Sequence, residues 1–328
     1  MKKNTDITLE PRHSYSHRPD SKKTYDCIIV GLGVAGYAAA MYGARLGMKV
    51  LLVGEIPGGT LGLTGTVENY PGFVSINGQR LVQLLENHAL DYDVDQLIEI
   101  VSKISTGKKG FVVWAGKKVY NGKTIIFATG AKVRKLNVPG EEQFFGKGVD
   151  YCALCDATHI KGKTAAIAGG GDSAVKEAIL LAEYARKVYI INNEKQIHPE
   201  MANLKKVNEL VRKNRIEIIN NNEIVAIQGK DRMDKVILKR SYKGKRELFI
   251  QGLFIYIGHD PESRLSQQIG VKLNLKKEII ISSHSETNVP GFFAAGDVTN
   301  LEWKQAIMGV AQGVTAAYYA YNYILSGG

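Results

Sequence analysis

The chain contains one glycine pattern twice, each time directly after a run of apolar residues. The first copy, GLGVAG, occupies residues 31–36 after the apolar run 25–30, and the second, GGGDSA, occupies residues 169–174 after the run 164–168. Such runs are typical of buried parallel strands, and the small residues allow a tight turn into a helix whose N-terminus faces a phosphate. The sequence therefore predicts two βαβ units, each able to bind a dinucleotide.

Further strand patterns indicate how the two units are arranged along the chain. Residues 124–130 and 292–298 each read as a strand that ends on a small-residue turn, and the second of these belongs chemically with the first nucleotide. The predicted class is α/β, with two Rossmann-like three-layer nucleotide-binding domains, the second inserted into the first. We expect a flexible N-terminal tail over residues 1–23, a discontinuous domain over 24–131 and 257–328, and an inserted domain over 132–256.

A cysteine pair lies between the two glycine patterns. Cys152 and Cys155 are two residues apart and Asp156 follows directly, so the thiols can close into a disulfide. A thiol reacts near neutral pH only if its surroundings lower its pKa from about 8.5. The order of dinucleotide motif, dithiol and dinucleotide motif indicates a protein that moves two electrons through a flavin and a cysteine pair.

The cysteines and histidines give little support for a metal site. His159 extends the pair to C-x2-C-x3-H, but no fourth ligand is found, and Cys27 lies in an apparent buried strand as a core residue. The sequence therefore predicts no metal site. His159, His198 and His259 are expected on the surface or in loops.

Charge, hydropathy and cysteine content indicate the binding partners and the cellular compartment. The formal net charge is +11, but basic pairs such as Lys22-Lys23 and Lys276-Lys277 are spread along the chain, which favours solvated surface charge over nucleic-acid binding. An acidic protein partner is the alternative. No apolar run reaches the roughly 18 residues that span a membrane, and three cysteines do not form a secreted disulfide framework. We expect a cytoplasmic protein without membrane or nucleic-acid binding.

Six segments resemble the low-molecular-weight thioredoxin reductases in order and spacing. They are residues 58–61 (GGTL), 67–72 (VENYPG), 128–131 (ATGA), 151–156 (YCALCD), 296–298 (GDV) and 304–306 (KQA), within a likeness over about residues 25–325. The resemblance implies FAD in the discontinuous domain, a nicotinamide nucleotide in the inserted domain, a homodimer, and a thioredoxin-like protein disulfide as substrate.

The resemblance also assigns roles to individual residues. Cys155 is the thiol that exchanges electrons with the flavin, and Cys152 is the thiol that reacts with the partner's disulfide. Asp156 matches the family's acid/base residue, although a helix cap is the alternative interpretation. Asp297 is expected to hydrogen-bond the ribitol or pyrophosphate of FAD, and residues 304–306 are expected to close over the isoalloxazine edge.

Residues of the two glycine patterns and of the resembling segments form two predicted nucleotide sites. A Rossmann site usually ends its second strand on a carboxylate for the ribose; here Gly54 takes that place and Glu55 follows it. The predicted FAD site comprises Gly31, Gly33, Val34, Ala35, Gly36, Gly54, Glu55, Gly58, Gly59, Thr60, Leu61, Asn69, Ala128, Thr129, Gly130, Gly296, Asp297, Lys304, Gln305 and Ala306. The predicted nicotinamide-nucleotide site comprises Gly169, Gly171, Asp172, Ser173, Ala174, Asn193 and Glu194.

The second site departs from the resembled family at the residues that bind the 2′-phosphate of NADPH. The family's His-Arg-Arg is replaced by Asn192, Asn193 and Glu194, and its further arginine by His198. A carboxylate repels a phosphate, so NADPH is predicted to be a weak donor at best, and NADH is possible because Glu194 can bind a ribose hydroxyl. Two points argue against NADH as the donor. The position at which the family distinguishes the two nucleotides is occupied by Asn192 and not by Glu194, and Lys195 could neutralise the charge of Glu194. A non-nicotinamide donor, such as reduced ferredoxin or a deazaflavin, remains open.

Two other functions compete with disulfide reduction. The dithiol could run in the opposite direction, as a dithiol oxidase that passes electrons from the flavin to oxygen. Alternatively, the chain could be a slow-turnover flavoprotein redox sensor that changes partners with its disulfide state. Oxygen consumption on addition of a dithiol distinguishes the first alternative, and failure of every donor to give multiple turnovers would favour the second.

Overall fold

A computed structural model describes residues 9–13, 18–63, 66–107, 110–151, 153 and 160–327. The chain divides into two compact units, here called the discontinuous unit (residues 1–132 and 261–328) and the inserted unit (133–260). In chain order, the described strands are β1 (Thr24–Val30), β2 (Val50–Gly54), β3 (Thr66–Val67), β4 (Ile76–Asn77), β5 (Val94–Ile98), β6 (Val101–Gly107), β7 (Gly110–Ala115), β8 (Lys118–Phe127), β9 (Ala131–Val133), β10 (Val149–Asp150), β11 (Thr164–Ala168), β12 (Lys187–Ile191), β13 (Ile216–Ile219), β14 (Ile224–Gly229), β15 (Met233–Tyr242), β16 (Lys245–Phe249), β17 (Gly252–Ile255), β18 (His259–Pro261) and β19 (Phe292–Ala294). The described α-helices are α1 (Val34–Arg45), α2 (Gly78–Leu90), α3 (Asp172–Tyr184), α4 (Met201–Arg212), α5 (Arg264–Gln267) and α6 (Ala306–Leu325), and a 3₁₀ helix covers Gly59–Leu63.

The discontinuous unit is built on one large sheet. Its strand order is β5-β2-β1-β8-β7-β6, with β19 also paired to β8. Strands β5, β2, β1, β8 and β19 are parallel, whereas β6 and β7 are antiparallel to their neighbours. Both faces of β1 are covered: Cys27 and Ile29 face one apolar cluster, and Ile28 and Val30 face the other. Burial on both faces explains why residues 27–30 of β1 form a continuous apolar run.

Strand β8 joins the early and late parts of the discontinuous unit. Its first half pairs with β7, with Tyr120 opposite Val113, and its last residues pair with β19, with Ile125 opposite Phe292. The chain therefore returns near its C-terminus to complete a sheet that it began near its N-terminus.

The inserted unit contains a second parallel sheet. The order is β10-β17-β11-β12-β13, and a separate antiparallel sheet has the order β14-β15-β16. Alternate residues of β11 face the two apolar clusters of this unit: Ala165 and Ile167 face one, and Ala166 and Ala168 face the other. Helix α3 packs on the first of these faces through Ala174, so the second glycine turn lies at the carboxyl edge of the sheet.

Residues 9–13 of the N-terminal segment contact the end of α2. The Arg12 guanidinium donates hydrogen bonds to Asp91 Oδ2 at 2.9 and 2.6 Å, and Asn87 donates to Glu10 at 2.9 Å. The Arg12 ion pair holds the pKa of Asp91 at about 2. These contacts link distant parts of the sequence, so periodicity along the chain does not predict them. None of the described helices is both long and apolar enough to cross a membrane.

Candidate dinucleotide sites and the dithiol motif

The first glycine turn lies where four parallel strands of the discontinuous unit end. Hydrogen bonds continue the sheet beyond the strands: Gly31 N–H donates to Val53 O at 2.7 Å, Ala128 N–H to Val30 O at 2.7 Å, and Ala295 N–H to Phe127 O at 3.0 Å. The carboxyl ends of β1, β2, β8 and β19 therefore share one edge. The structure brings together the predicted segments 31–36, 54–55, 128–130 and 296–297.

The glycines of this turn have different steric surroundings. Gly31 has a φ of 125°, and a Cβ atom there would overlap the carbonyl oxygen of Ala128; a Cβ on Gly36 would overlap that of Gly31. In contrast, a Cβ on Gly33 would meet no atom within 4 Å. Gly33 is the N-cap of α1 and makes no side-chain capping hydrogen bond. The N-terminus of α1 thus faces open space, as a pyrophosphate site requires.

The segment after β2 borders the same turn. Glu55 is exposed immediately after the strand, and the N–H of Gly58 donates to Leu32 O at 2.7 Å. A Cβ on Gly58 would press against Val82, so the loop passes close to α2. Leu61 packs partly buried against the core of this unit. The displaced carboxylate Glu55 is therefore positioned at the strand end where a ribose ligand is expected.

The turn at Gly296 and Asp297 is held by side chains that the sequence analysis did not identify. Gln312 Oε1, on α6, accepts a hydrogen bond from Gly296 N–H at 2.7 Å. Lys304 donates to the carbonyl oxygens of Asp297 and Thr299 at 3.0 and 2.7 Å, and its ammonium lies 2.9 Å from a carboxylate oxygen of Glu278. The ammonium of Lys304, expected at the isoalloxazine edge, thus has a bond for each of its three N–H donors within this unit.

Two other predicted FAD-site residues contact each other. Asn69 donates a side-chain hydrogen bond to Gln305 Oε1 at 2.9 Å, and Gln305 is the N-cap of α6. The segment 67–72 and the start of α6 are therefore neighbours.

Gln312→Leu is expected to destabilise the protein, because the buried N–H of Gly296 loses its acceptor. An unsatisfied buried donor costs about 1–3 kcal/mol. The measurement is thermal unfolding with and without added FAD, and the variant should also release FAD more readily than the wild type. Gln268→Leu, which changes an exposed glutamine, is the matched control. Equal stability of the two variants would contradict the assigned role of Gln312.

The second glycine turn has the same steric pattern as the first. Gly169 has a φ of 134°, and a Cβ there would overlap the carbonyl oxygen of Tyr256. Gly171 is the N-cap of α3, makes no side-chain capping hydrogen bond, and a Cβ on it would meet no atom within 4 Å. Asp172 Oδ1 accepts from Glu200 N–H at 2.7 Å and Asn203 Nδ2 at 2.8 Å, so its carboxylate anchors the start of α4.

The loop after β12 lies against the second glycine turn. Asn192 is buried and donates through Nδ2 to Gln196 O at 2.8 Å and Asn220 Oδ1 at 3.1 Å. The N–H of His198 donates to Gly170 O at 2.7 Å, which fixes the loop beside the turn. The buried side chain of Asn192 therefore holds the loop together through its hydrogen bonds.

An open cavity of about 610 Å³ is lined by Asn193, Glu194, Lys195, Gln196, His198 and Asn221.

The Glu194 carboxylate has His198 as its partner, and not Lys195, the residue considered from the sequence. His198 Nε2 lies 2.9 Å from Glu194 Oε2, and both side chains are more than half exposed. In the described part of the chain Lys195 forms no ion pair with Glu194, and the partner is instead four residues away because the loop folds back on itself. Side chains four residues apart are regular neighbours only in helices, so the sequence of this loop does not indicate the pair.

Most of the dithiol motif lies outside the described residues. This applies to Cys152, Cys155, Asp156 and His159, whereas Ala153 is described and fully buried. The remaining cysteine, Cys27, is 0% exposed, and burial raises its pKa to about 12, so it is an unreactive core residue as expected. Among the residues that the structure describes, no group of three or more His, Cys, Asp or Glu side chains could hold a metal ion.

Two glycine cradles at the edges of parallel sheets, with a dithiol motif between them in sequence, define a dinucleotide-binding oxidoreductase. Residues 25–313 match the pyridine nucleotide-disulphide oxidoreductase family. The chain is 34% identical over 306 residues to the thioredoxin reductase of Bacillus subtilis (strain 168), covering 92% of this chain and 96% of that protein. It is 36% identical over 307 residues to a 34.2 kDa protein in the rubredoxin operon of Clostridium pasteurianum, covering 92% and 98%.

The fold is similar to that of solved relatives. The crystal structure of Lactococcus lactis thioredoxin reductase (FR conformation) superposes with a TM-score of 0.86 at 33% identity, covering 92% of this chain and 99% of that one. The chain belongs to the pyridine nucleotide-disulphide oxidoreductase family, as a member of its thioredoxin reductase group. The predicted α/β class with two Rossmann-like domains is confirmed, and so is the predicted enzyme class, an FAD-dependent disulfide oxidoreductase.

Proposed function

We propose that this protein reduces the disulfide of a thioredoxin-like protein, with electrons that pass through FAD to Cys152 and Cys155. The observation that carries the proposal is the open, uncapped N-terminus of α1 at Gly33, surrounded by the ends of four parallel strands. This cradle fits the pyrophosphate of FAD, the cofactor that the family implies. The relatives named above as thioredoxin reductases support the choice of substrate.

The residues of the discontinuous unit supply binding and orientation. When FAD is bound, the N–H groups at the start of α1 would face the pyrophosphate, Glu55 would accept a hydrogen bond from a ribose hydroxyl, and Asp297 would orient the ribitol side. Bound FAD supplies two-electron transfer between a donor and the dithiol. Gln312 and Lys304 position the backbone around Asp297.

The dithiol performs the exchange with the protein substrate. The Cys152 thiolate attacks one sulfur of the substrate disulfide; that S–S bond breaks, a mixed disulfide forms, and the leaving thiolate takes a proton. The Cys155 thiolate then attacks the Cys152 sulfur, which releases the second substrate thiol and closes the Cys152–Cys155 disulfide. Asp156 is assigned the proton transfer. Two electrons and two protons restore the dithiol. We also propose a homodimer, which sedimentation velocity tests.

The loop at Asn193 and Glu194 favours NADH over NADPH as the donor. A 2′-phosphate would bring about two further negative charges to a cavity rim that carries the Glu194 carboxylate. His198 is already paired with that carboxylate, and Asn192 is buried within the loop. Among the described residues that line the cavity, Lys195 is the one lysine or arginine, so a cluster of cations for a phosphate is absent there, whereas a ribose hydroxyl can donate to Glu194.

Anaerobic titration of the purified holoprotein with NADH, NADPH and dithionite tests both the cofactor and the donor. Bleaching of the flavin absorbance by dithionite establishes the bound flavin, and we expect NADPH to reduce it no faster than NADH. A low-micromolar Michaelis constant for NADPH, with strong preference over NADH, would show that other cations such as Lys195 or Lys187 reach the phosphate. Reduction by neither nucleotide would favour a non-nicotinamide donor.

The double variant Asn193→Arg with Glu194→Arg is expected to raise kcat/KM for NADPH at least about tenfold. It removes one negative charge and adds two guanidinium groups, and each charge-assisted hydrogen bond to a phosphate is worth about 1.5–3 kcal/mol. The value for NADH should not rise. Asn208→Arg with Glu209→Arg changes the same exposed Asn-Glu dipeptide on α4 and is the matched control. An equal NADPH gain in both double variants would point to overall charge instead of the loop.

A further inference from the structure

Asn192 directly follows β12, and its side chain is turned into the protein. It is 3% exposed, and its amide contacts both the loop that follows it and the second glycine turn. The loop, residues 193–198, supplies most of the residues that line the cavity of about 610 Å³. The side chain of Asn192 therefore lies between the two parts of the predicted nicotinamide-nucleotide site.

The amide of Asn192 is fully occupied by hydrogen bonds within the protein. Nδ2 has two hydrogens, and three oxygens accept from it: Gln196 O at 2.8 Å, Asn220 Oδ1 at 3.1 Å and Glu194 O at 3.3 Å. Oδ1 accepts from Glu194 N–H at 3.3 Å. Asn192 thus holds both peptide groups of Glu194. Because it has no N–H left for a ligand, its effect on a bound nucleotide must pass through the loop.

Gly170, the middle glycine of the second pattern, fits closely against this amide. A Cβ atom on Gly170 would meet Oδ1, Cγ and Nδ2 of Asn192 at 2.4, 2.5 and 2.9 Å, and these are its three nearest atoms. The φ of Gly170 is not positive, so alanine could adopt its backbone and the conflict is with the Asn192 side chain. At the other end of the loop, His198 N–H donates to Gly170 O at 2.7 Å. The glycine turn therefore contacts the loop at both of its ends.

We propose that Asn192 is a positioning residue for the electron-donor nucleotide, whose amide holds the loop 193–198 against Gly170 in the shape that binds the nucleotide. The inference rests on the proposed function, in which NADH is the donor and binds at the second glycine turn. A loop without this anchor would have to be ordered when the nucleotide binds, and that ordering lowers the affinity. Since Asn192 acts through the loop, the affinity for the nucleotide should change and the rate at saturation should not.

Asn192→Ala tests this inference because it removes the amide. We expect the Kd of NAD⁺ for the oxidised holoprotein, measured by isothermal titration calorimetry, to rise about tenfold. The Michaelis constant for NADH should rise by the same factor at unchanged kcat. Without any nucleotide, the backbone amide hydrogens of residues 193–198 should exchange at least about tenfold faster, as followed by mass spectrometry. The FAD content should equal that of the wild type.

Gly170→Ala provides a second test, because its methyl group would displace the Asn192 amide. Alone, it should also raise the Kd of NAD⁺ about tenfold. Two changes that act through one contact are not additive, so the double variant should stay within about twofold of Asn192→Ala. Independent effects would multiply to about a hundredfold, and that result would overturn the inference.

Thr164→Ala is the matched control. Thr164 is buried at the start of β11, at the opposite edge of the same sheet, and its hydroxyl accepts from Arg186 Nη2 at 3.1 Å. Its loss should lower thermal stability without changing the Kd of NAD⁺. An equal Kd for Asn192→Ala and the wild type would overturn the inference while leaving the proposed function intact. If the wild type neither binds NAD⁺ nor is reduced by NADH, the proposed donor itself fails together with the ligand assigned to this loop, and the two failures are thereby distinguished.

Discussion

Cys155→Ser is expected to abolish disulfide reductase activity and to disconnect the dithiol from the flavin. The proposed exchange requires both sulfurs, because the second thiolate must release the substrate from the mixed disulfide. Cys152→Ser should be equally inactive, but its remaining Cys155 thiolate should give a charge-transfer band with the oxidised flavin. The two measurements are turnover with a thioredoxin-like disulfide and the visible absorption spectrum. The turnover rate of each variant should fall at least about a thousandfold, by analogy with loss of other groups that act as one catalytic unit.

Cys27→Ala provides the control for these two variants. Its thiol is fully buried and has a pKa raised to about 12 by that burial, so it contributes no thiolate at neutral pH. The control should keep wild-type turnover after its FAD content is taken into account. Wild-type turnover by either Cys152→Ser or Cys155→Ser would mean that the pair is structural and that the substrate is reduced elsewhere.

Gly33→Ala is expected to preserve the fold and to weaken FAD binding by about two to four orders of magnitude. Gly33 has a φ of −86°, which alanine adopts without strain, and its Cβ would meet no protein atom within 4 Å. The same methyl group would occupy the space in front of the α1 N-terminus that the pyrophosphate needs. Loss of two charge-assisted hydrogen bonds costs about 3–6 kcal/mol. Equilibrium titration of the FAD-free protein with FAD measures the effect.

Gly171→Ala is the matched variant in the inserted unit, because Gly171 has the same N-cap position and the same open surroundings. It should retain FAD and raise the Michaelis constant of the nicotinamide donor. If Gly33→Ala binds FAD as tightly as the wild type, the first cradle is not the pyrophosphate site. An effect of Gly171→Ala on FAD instead of the donor would exchange the roles of the two units.

The elements that surround the sites could be predicted because their sequences carry strong signals. Parallel strands covered on both faces, such as β1 and β11, appear as mainly apolar runs, and each is followed by glycines whose conformations other residues rarely adopt. The antiparallel strand β6 carries no comparable signal. In β6 only Val101 and Ile104 are buried, three residues apart, so the buried positions do not follow a regular alternation.

The supporting contacts of the sites could not be predicted, because they join residues that are distant in sequence. Gln312 is surrounded by alanines and glycines in a helix, and nothing in that pattern indicates that it binds the N–H of Gly296. Asn192 occupies the position at which the resembled family discriminates between nucleotides, yet here it is buried and organises the loop. In each case the spatial neighbour, and not the residue type, determines the role.

The double pairing of β8 has a consequence for the order in which the chain folds during synthesis. All of the inserted unit, to residue 260, emerges from the ribosome before β19 is made, whereas residues 125–127 of β8 are paired on one side only, with β1, until Phe292–Ala294 arrive. A nascent chain of intermediate length thus carries a completed inserted unit. In its discontinuous unit it carries an open sheet edge whose backbone groups can pair with other chains. The inserted unit, although it lies in the middle of the sequence, can reach its native state first. The N-terminal segment of the discontinuous unit completes its sheet only when β19 has been synthesised.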